Sequence, residues 1–266
     1  MLHGRLSEVT SVDDRLLLEN RIKELDELCY QRDILKSTAF LSMEEQAVYS
    51  SLNKSGLMTA ASQRFLESGH KYGDRAILFF LPEYMDREEA VKDRLALIKI
   101  EPVNSKFSDE LNHRDYLGAL MNLGIERSLI GDILTDGHCA YVFCLRDIVD
   151  FILSELFRVK HTSVNCTIAE LSECSMEPKF EELNVNVASE RLDAVISSVW
   201  NMSRNISSGI IQKEAVTVDG RYVTQSGYSL KDGERVSVRG YGKFIYCGTD
   251  RSTKKGRLYV KIKKFV

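Results

Sequence analysis

Two arginines stand where two short helices begin, in the C-terminal quarter of this chain. Arg191 precedes Leu192, Val195, Ile196, Val199 and Trp200, whose spacing draws one apolar stripe along about three helical turns. Ser203-Arg204 opens a second helix, with Ser203 suited to cap it and Ile206, Ile210 and Ile211 as its apolar face. A guanidinium at a helix start can make planar, charge-assisted contacts to phosphate, and free first-turn N–H groups aim at the same anion. That chemistry holds a polyanion and does not transform one. Arg191 also has competing carboxylates within reach, an ion pair to Asp193 or Glu190 being the alternative use of its charge.

No residue set elsewhere promises catalysis. His113-Arg114-Asp115 superficially matches a kinase catalytic loop, but no glycine-rich phosphate loop or metal-binding Asp-Phe-Gly accompanies it. Residues 1–187 contain no G-x-G-x-x-G loop. The six cysteines, at 29, 139, 144, 166, 174 and 247, form no C-x-x-C pair, and His138 beside Cys139 has no second ligand pair to complete a metal site. Reduced, structural thiols are expected, with no cofactor, no metal and no small-molecule substrate.

Two helices joined by so short a link must pack as a corner. Ala215 to Val223 alternates around Val216 and Val218, and Asp219-Gly220 is a two-residue hairpin signal. Val236 and Val238 alternate with Arg235, Ser237 and Arg239. Leu258, Val260 and Ile262 alternate with Arg257, Tyr259, Lys261 and Lys263, so the last strand has one apolar and one basic face. Residues 188–266 carry 15 Lys and Arg against 7 Asp and Glu, a net of +8; residues 1–187 carry 21 against 32, a net of −11. The formal net charge of −3 thus hides a basic domain on an acidic one, a sign of a polyanion partner.

Across 266 residues the pattern predicts an α+β protein in parts. Residues 1–75 read as a helical N-terminal region: Leu18, Ile22, Leu25 and Cys29 repeat at helical spacing, and Ser42 to Glu45 is a capping box. Residues 76–171 read as a ferredoxin- or RNA-recognition-like α+β domain, with strands near 76–81, 95–101, 139–145 and 162–168 and helices near 113–122 and 146–158. Residues 172–187, with Pro178 and several acidic side chains, read as a linker, and 188–266 as the basic domain. No apolar run has the length of a signal peptide or a membrane span, so a cytoplasmic protein without a membrane partner is expected.

The order of helix, helix, strand, Asp-Gly turn and Lys231-Asp-Gly-Glu234 resembles the S4 RNA-binding module. His113-Arg-Asp-Tyr-Leu-Gly-Ala-Leu-Met-Asn-Leu-Gly-Ile125 with Ile130-Gly-Asp-Ile-Leu134, together with Phe40-Leu-Ser-Met-Glu-Glu-Gln46 and Leu81-Pro-Glu-Tyr84, resembles bacterial YlmH-type proteins over nearly the whole chain. The resemblance implies a non-enzymatic RNA-binding protein on the large ribosomal subunit, in contact with rRNA and tRNA, tied to rescue of stalled translation or to cell division. S4 modules also occur on pseudouridine synthases and methyltransferases, which leaves an RNA-modifying enzyme as one alternative and a protein-interaction adaptor as another. By the same resemblance Arg191, Ser203 and Arg204 fall where S4 modules meet RNA. Lys213, Arg221, Arg239, Lys243, Lys254, Lys255 and Arg257 are further basic candidates, and Arg114 is a second-domain candidate. The chain departs from the family in having Ile206 where a basic residue is usual, and Glu214-Ala215 where the turn usually has Gly followed by Lys. The C-terminal basic strand is expected to compensate.

Overall fold

The structure, a computed structural model, describes residues 12–58, 60, 63–252 and 256–266, apart from the side chains of Val12 and Phe107. The chain forms two compact units, Met1–Glu177 and Pro178–Val266.

In the first unit, helix α1 (Val12–Arg32) leads into strand β1 (Lys36–Leu41) and helix α2 (Met43–Lys54). The capping box at the start of α2 is present: the Glu45 amide donates to Ser42 Oγ at 3.3 Å and the Ser42 amide to Glu45 Oε2 at 2.6 Å. Strands β2 (Gln63–Glu67) and β3 (Ala76–Leu81) complete a three-stranded antiparallel sheet in the order β1-β3-β2. The first third is therefore not only helical, and the expected boundary at 75/76 would cut β3 from its two partners. The run Ala-Ile-Leu-Phe-Phe-Leu in β3 is apolar throughout because both faces are buried: Leu78 and Phe80 pack with Ile22, Leu25 and Leu52 of the helices, Ile77 and Phe79 on the other side with Phe143.

Helix α3 (Arg87–Arg94) precedes a βαββαβ body: β4 (Leu95–Pro102), α4 (His113–Asn122), β5 (Ile130–Thr135), β6 (Ala140–Leu145), α5 (Val149–Glu155), a short β7 (Arg158–Val159) and β8 (Thr162–Ala169). Its sheet is antiparallel in the order β5-β6-β4-β8-β7, the ferredoxin-like arrangement expected. Strand β5 had been legible only as part of a resemblance, and α5 is shorter than the expected 146–158 because a β7–β8 hairpin takes up the chain from Arg158.

The two faces of this sheet have different neighbours. Ala96, Ile98, Ile100, Val142 and Cys144 pack under Tyr116 and Leu120 of α4 and Ile152 of α5. Leu95, Leu97, Tyr141, Phe143 and Leu145 point the other way, into a core shared with Phe40, Phe65, Ile77 and Phe79 of the three-stranded sheet. Close approach of the layers needs glycine: a Cβ on Gly131 would stand 2.5 Å from the Phe40 ring, and one on Gly69, at φ +87, 2.5 Å from Phe143. The turn between β2 and β3 is tied down by Asp132 of β5. One carboxylate oxygen accepts from the amides of Asp74 at 2.8 Å and Arg75 at 3.3 Å and lies 3.2 Å from His70 Nε2.

The second unit begins with β9 (Phe180–Val187), which pairs along its whole length with the last strand, β14 (Leu258–Phe265). The second half of the expected linker at 172–187 is thus a strand. Between them lie α6 (Leu192–Val199), α7 (Arg204–Gln212), β10 (Val216–Val218), β11 (Arg221–Tyr222), β12 (Arg235–Val238) and β13 (Gly242–Ser252). The six strands form one antiparallel sheet in the order β11-β10-β12-β13-β14-β9. Asp219 and Gly220 turn the first hairpin with φ of 46° and 73°, the left-handed pair a tight hairpin turn requires. The helices cover one face, where Leu192, Val195, Ile196 and Ile211 pack on Val216, Val236, Val238, Phe244, Val260 and Ile262.

Candidate nucleic-acid interface

The helix corner is built around one carboxylate. Asp193, in the first turn of α6, is almost fully buried, and two guanidiniums converge on it: Arg191 from the N-cap of α6, at 3.1 and 3.3 Å, and Arg204 from the first residue of α7, at 2.6 Å. Both arginine side chains remain about half exposed. Burial alone would raise the Asp193 carboxyl, but the hydrogen bonds and charges of Arg191 and Arg204 outweigh it and hold the group below its ordinary value. Ser207, buried in α7, sets the crossing of the helices by donating to the Asp193 carbonyl at 2.9 Å. Two cations share one anion, so the corner keeps a net positive charge in a fixed geometry.

Arg204 is as firmly paired as Arg191, although the sequence suggested a competing ion pair only for Arg191. Glu190, the other carboxylate within reach of Arg191, is occupied by the hydroxyls of Tyr246 at 2.8 Å and Thr249 at 2.6 Å. The start of α6 also offers fewer free donors than expected: the Leu192 and Asp193 amides donate to the Tyr228 and Ser226 carbonyls, at 2.8 and 3.2 Å. The loop carrying those carbonyls leads into Lys231 to Glu234, where Glu234 accepts from the Tyr228 hydroxyl at 2.5 Å and the Lys231 amide at 2.8 Å. Ser203 is the N-cap of α7 and accepts from the Ile206 amide at 3.3 Å.

The remaining basic candidates of this unit divide between places. Lys213 is exposed at the C-cap of α7, where Glu214 holds φ +55, keeping the left-handed conformation for which the family's glycine is suited. Arg221 is exposed on β11, and Arg239 is exposed just past β12. Lys243 lies on the sheet face away from the helices, because its neighbour Phe244 faces the core; its Nζ sits 4.3 Å from the Phe265 ring centre. Arg235 on the same ring, Lys263 over Phe180 and Arg251 over Tyr259 extend this cation-on-ring surface. Arg257 is bound to Asn186 through its side-chain oxygen and, at 2.9 Å, its carbonyl, while Lys261 is paired with Asp250 at 2.6 Å. Lys254 and Lys255 lie outside the described residues. The corner and the far strand face are thus separate basic surfaces on opposite sides of one sheet. The alternation showed the second face, but the rings that hold its cations come together only in the folded sheet.

In the first unit Arg114 is exposed near the start of α4, and its neighbour Asp115 closes that helix's capping box by accepting from the Asn112 amide at 3.0 Å. Asp115 also binds Lys160 at 2.8 Å. The residues that superficially match a kinase loop therefore form the first turn of a helix capped by Asn112. Among the described residues no three His, Cys, Asp or Glu side chains gather to hold a metal, and no helix is long and apolar enough to cross a membrane.

The chain thus combines a paired-arginine corner on a basic sheet with a βαββαβ body. Residues 91–173, which span that body, match the family described as "Putative RNA-binding domain in YlmH". The chain is 25% identical over 249 residues to "Ribosome-associated protein quality control protein P2" of Bacillus subtilis (strain 168), covering 92% of this chain and 93% of that one. A solved structure, "Cell division protein ylmH from Streptococcus pneumoniae", superposes with a TM-score of 0.48 at 17% identity, over 65% of this chain and 99% of that one. The chain is thus similar to YlmH-type proteins over most of its length, and its βαββαβ body matches their RNA-binding domain.

Proposed function

We propose that the second unit is an S4-type module that grips structured RNA at the α6–α7 corner, and that the protein works without turnover on the large ribosomal subunit, contacting rRNA and tRNA when translation stalls. The observation that carries this reading is the Asp193-centred pair of arginines. A carboxylate that fixes two half-exposed guanidiniums at the starts of two helices spends little of their capacity for phosphate, because each guanidinium has five donors. The ribosomal setting rests on the likeness to the Bacillus subtilis quality-control protein, and a cytoplasmic location follows from it. Lys213, Arg221 and Arg239 add charge on the same unit, the strand face with Lys243 and Arg257 serves as a weaker auxiliary surface, and Lys254 and Lys255 are further candidates by sequence. A link to cell division is the second setting, motivated by the YlmH resemblance.

Titration of the full-length protein with rRNA and tRNA fragments across a salt series tests the reading. A steep fall of affinity with salt is expected, and Arg191→Ala with Arg204→Ala should flatten the slope by about 2 for two lost phosphate contacts. An unchanged slope in the double variant would remove the corner from the site. Incubation with total RNA and common cofactors, followed by mass analysis of nucleosides, is expected to show no protein-dependent product; any modified base would overturn binding without turnover.

A further inference from the structure

We propose that the groove between α4 and the β7–β8 hairpin of the first unit is a second RNA-binding site, which takes an unpaired stretch of RNA through two phosphates and one base. This rests on the reading of the chain as RNA-binding, and it says which surface of residues 91–173 does the binding. RNA-recognition domains of similar strand order stack bases on the open face of their sheet. Here that face is closed: Tyr141 and Phe143, the aromatics of the central strand β6, are 8% and 0% exposed beneath the three-stranded sheet. Any RNA must meet this domain elsewhere.

The arginines indicate where. Residues 91–173 carry 9 Lys and Arg against 13 Asp and Glu, so the domain as a whole repels a polyanion. Of its five arginines, three are spent on the protein: Arg94 on Asp147, Arg127 on the Ile130 and Gly131 carbonyls, Arg146 on the Lys92 and Leu95 carbonyls. Among the described residues the side chains of the other two, Arg114 and Arg158, make no hydrogen bond or ion pair. Both line the same groove of about 630 Å³, with Lys160 as a third cation and Glu155 and Asp115 as its carboxylates.

The groove has the other parts an unpaired nucleotide needs. Phe157, 63% exposed on its lip, offers an aromatic face on which a base of any type can stack. Gly118 leaves the flank of α4 open, with no atom within 4 Å of where a Cβ would stand. The Lys160–Asp115 bridge fixes the hairpin against the start of α4, so the two arginines keep their spacing.

The test uses the full-length protein and a random single-stranded RNA pool substituted with 4-thiouridine, alone and annealed to its complement. Ultraviolet crosslinking and peptide mass mapping should place a crosslink within Phe157–Lys160 for the single strands and not for the duplex. Arg114→Ala with Arg158→Ala, whose side chains have no protein partners, should keep the melting temperature and reduce the salt slope for single strands by about 1.4, at 0.7 for each phosphate. Phe157→Ser should abolish the crosslink. If the parent protein binds the pool, and Arg191→Ala with Arg204→Ala weakens it while the groove variants change nothing, the groove is excluded and the corner stands. If the parent protein binds no RNA in any form, both readings fail together.

Discussion

At the scale of single residues, Asp193 separates two accounts of the corner. If simple charge governed RNA affinity, Asp193→Asn would strengthen binding by removing a negative charge. If the carboxylate acts by holding Arg191 and Arg204 in place, the substitution should weaken binding several-fold and lower stability by about 1 kcal/mol, a modest figure because both arginines are half in water. Thermal melting and RNA titration of this one variant decide between them, and tighter binding would discard the positioning role. Glu214→Gly gives the complementary case. It relieves a left-handed backbone at φ +55 and deletes a negative charge on a basic unit, so it should stabilise by up to about 1 kcal/mol and tighten RNA binding, the first seen by melting and the second by titration.

At the scale of elements, the features legible in the sequence were those whose signal is local. The capping box at Ser42, the buried run of β3, the helix near 113–122, the apolar stripe of α6 and the Asp219-Gly220 turn all depend on residues within a few positions of one another, and the structure has each of them. Strand β9 was hidden because its partner lies at the far end of the chain. Its Leu183, Val185 and Val187 alternate toward the core, but Pro178 and two glutamates make the segment read as a connector until Lys264 is found 2.9 Å from Glu181. The Asp193 cluster's second arm was hidden for another reason: the short link predicts that the two helices form a corner, but not that Arg204 reaches Asp193 across it. A direct consequence concerns fragments. Residues 178–266 are expected to melt cooperatively, whereas 188–266, without β9, should leave Val260 and Ile262 uncovered beside an unpaired β14 and show no cooperative transition by calorimetry. Equal melting of the two fragments would mean that β9 is an ornament on the sheet.

At the scale of the whole molecule, the buried Asp193 and the mostly buried Asp132 help to set the acid limit. Burial raises Asp132, but the His70 hydrogen bond and charge and the amides of Arg75 and Asp74 prevail, so its folded value, like that of Asp193, lies below the ordinary one. A depressed carboxylate stabilises the fold fully above its unfolded pKa, near about 3.9, and the contribution disappears as pH falls through the folded value. Chemical denaturation should therefore show a stability plateau at neutral pH and a decline below about pH 4, shallower in Asp132→Asn. The covered face of the ferredoxin-like sheet has a consequence for how this protein can be cut and shared. A segment beginning at residue 91 would carry Leu95, Leu97, Tyr141, Phe143 and Leu145 into water as one continuous oily panel, since Phe40, Phe65, Ile77 and Phe79, which lie over it, come from earlier in the chain. Expressed alone, such a piece is expected to clump where the longer Met1–Glu177 piece stays monodisperse in light scattering. The stretch that carries the family likeness is therefore not a portable cassette, and the three-stranded sheet that precedes it is its other half.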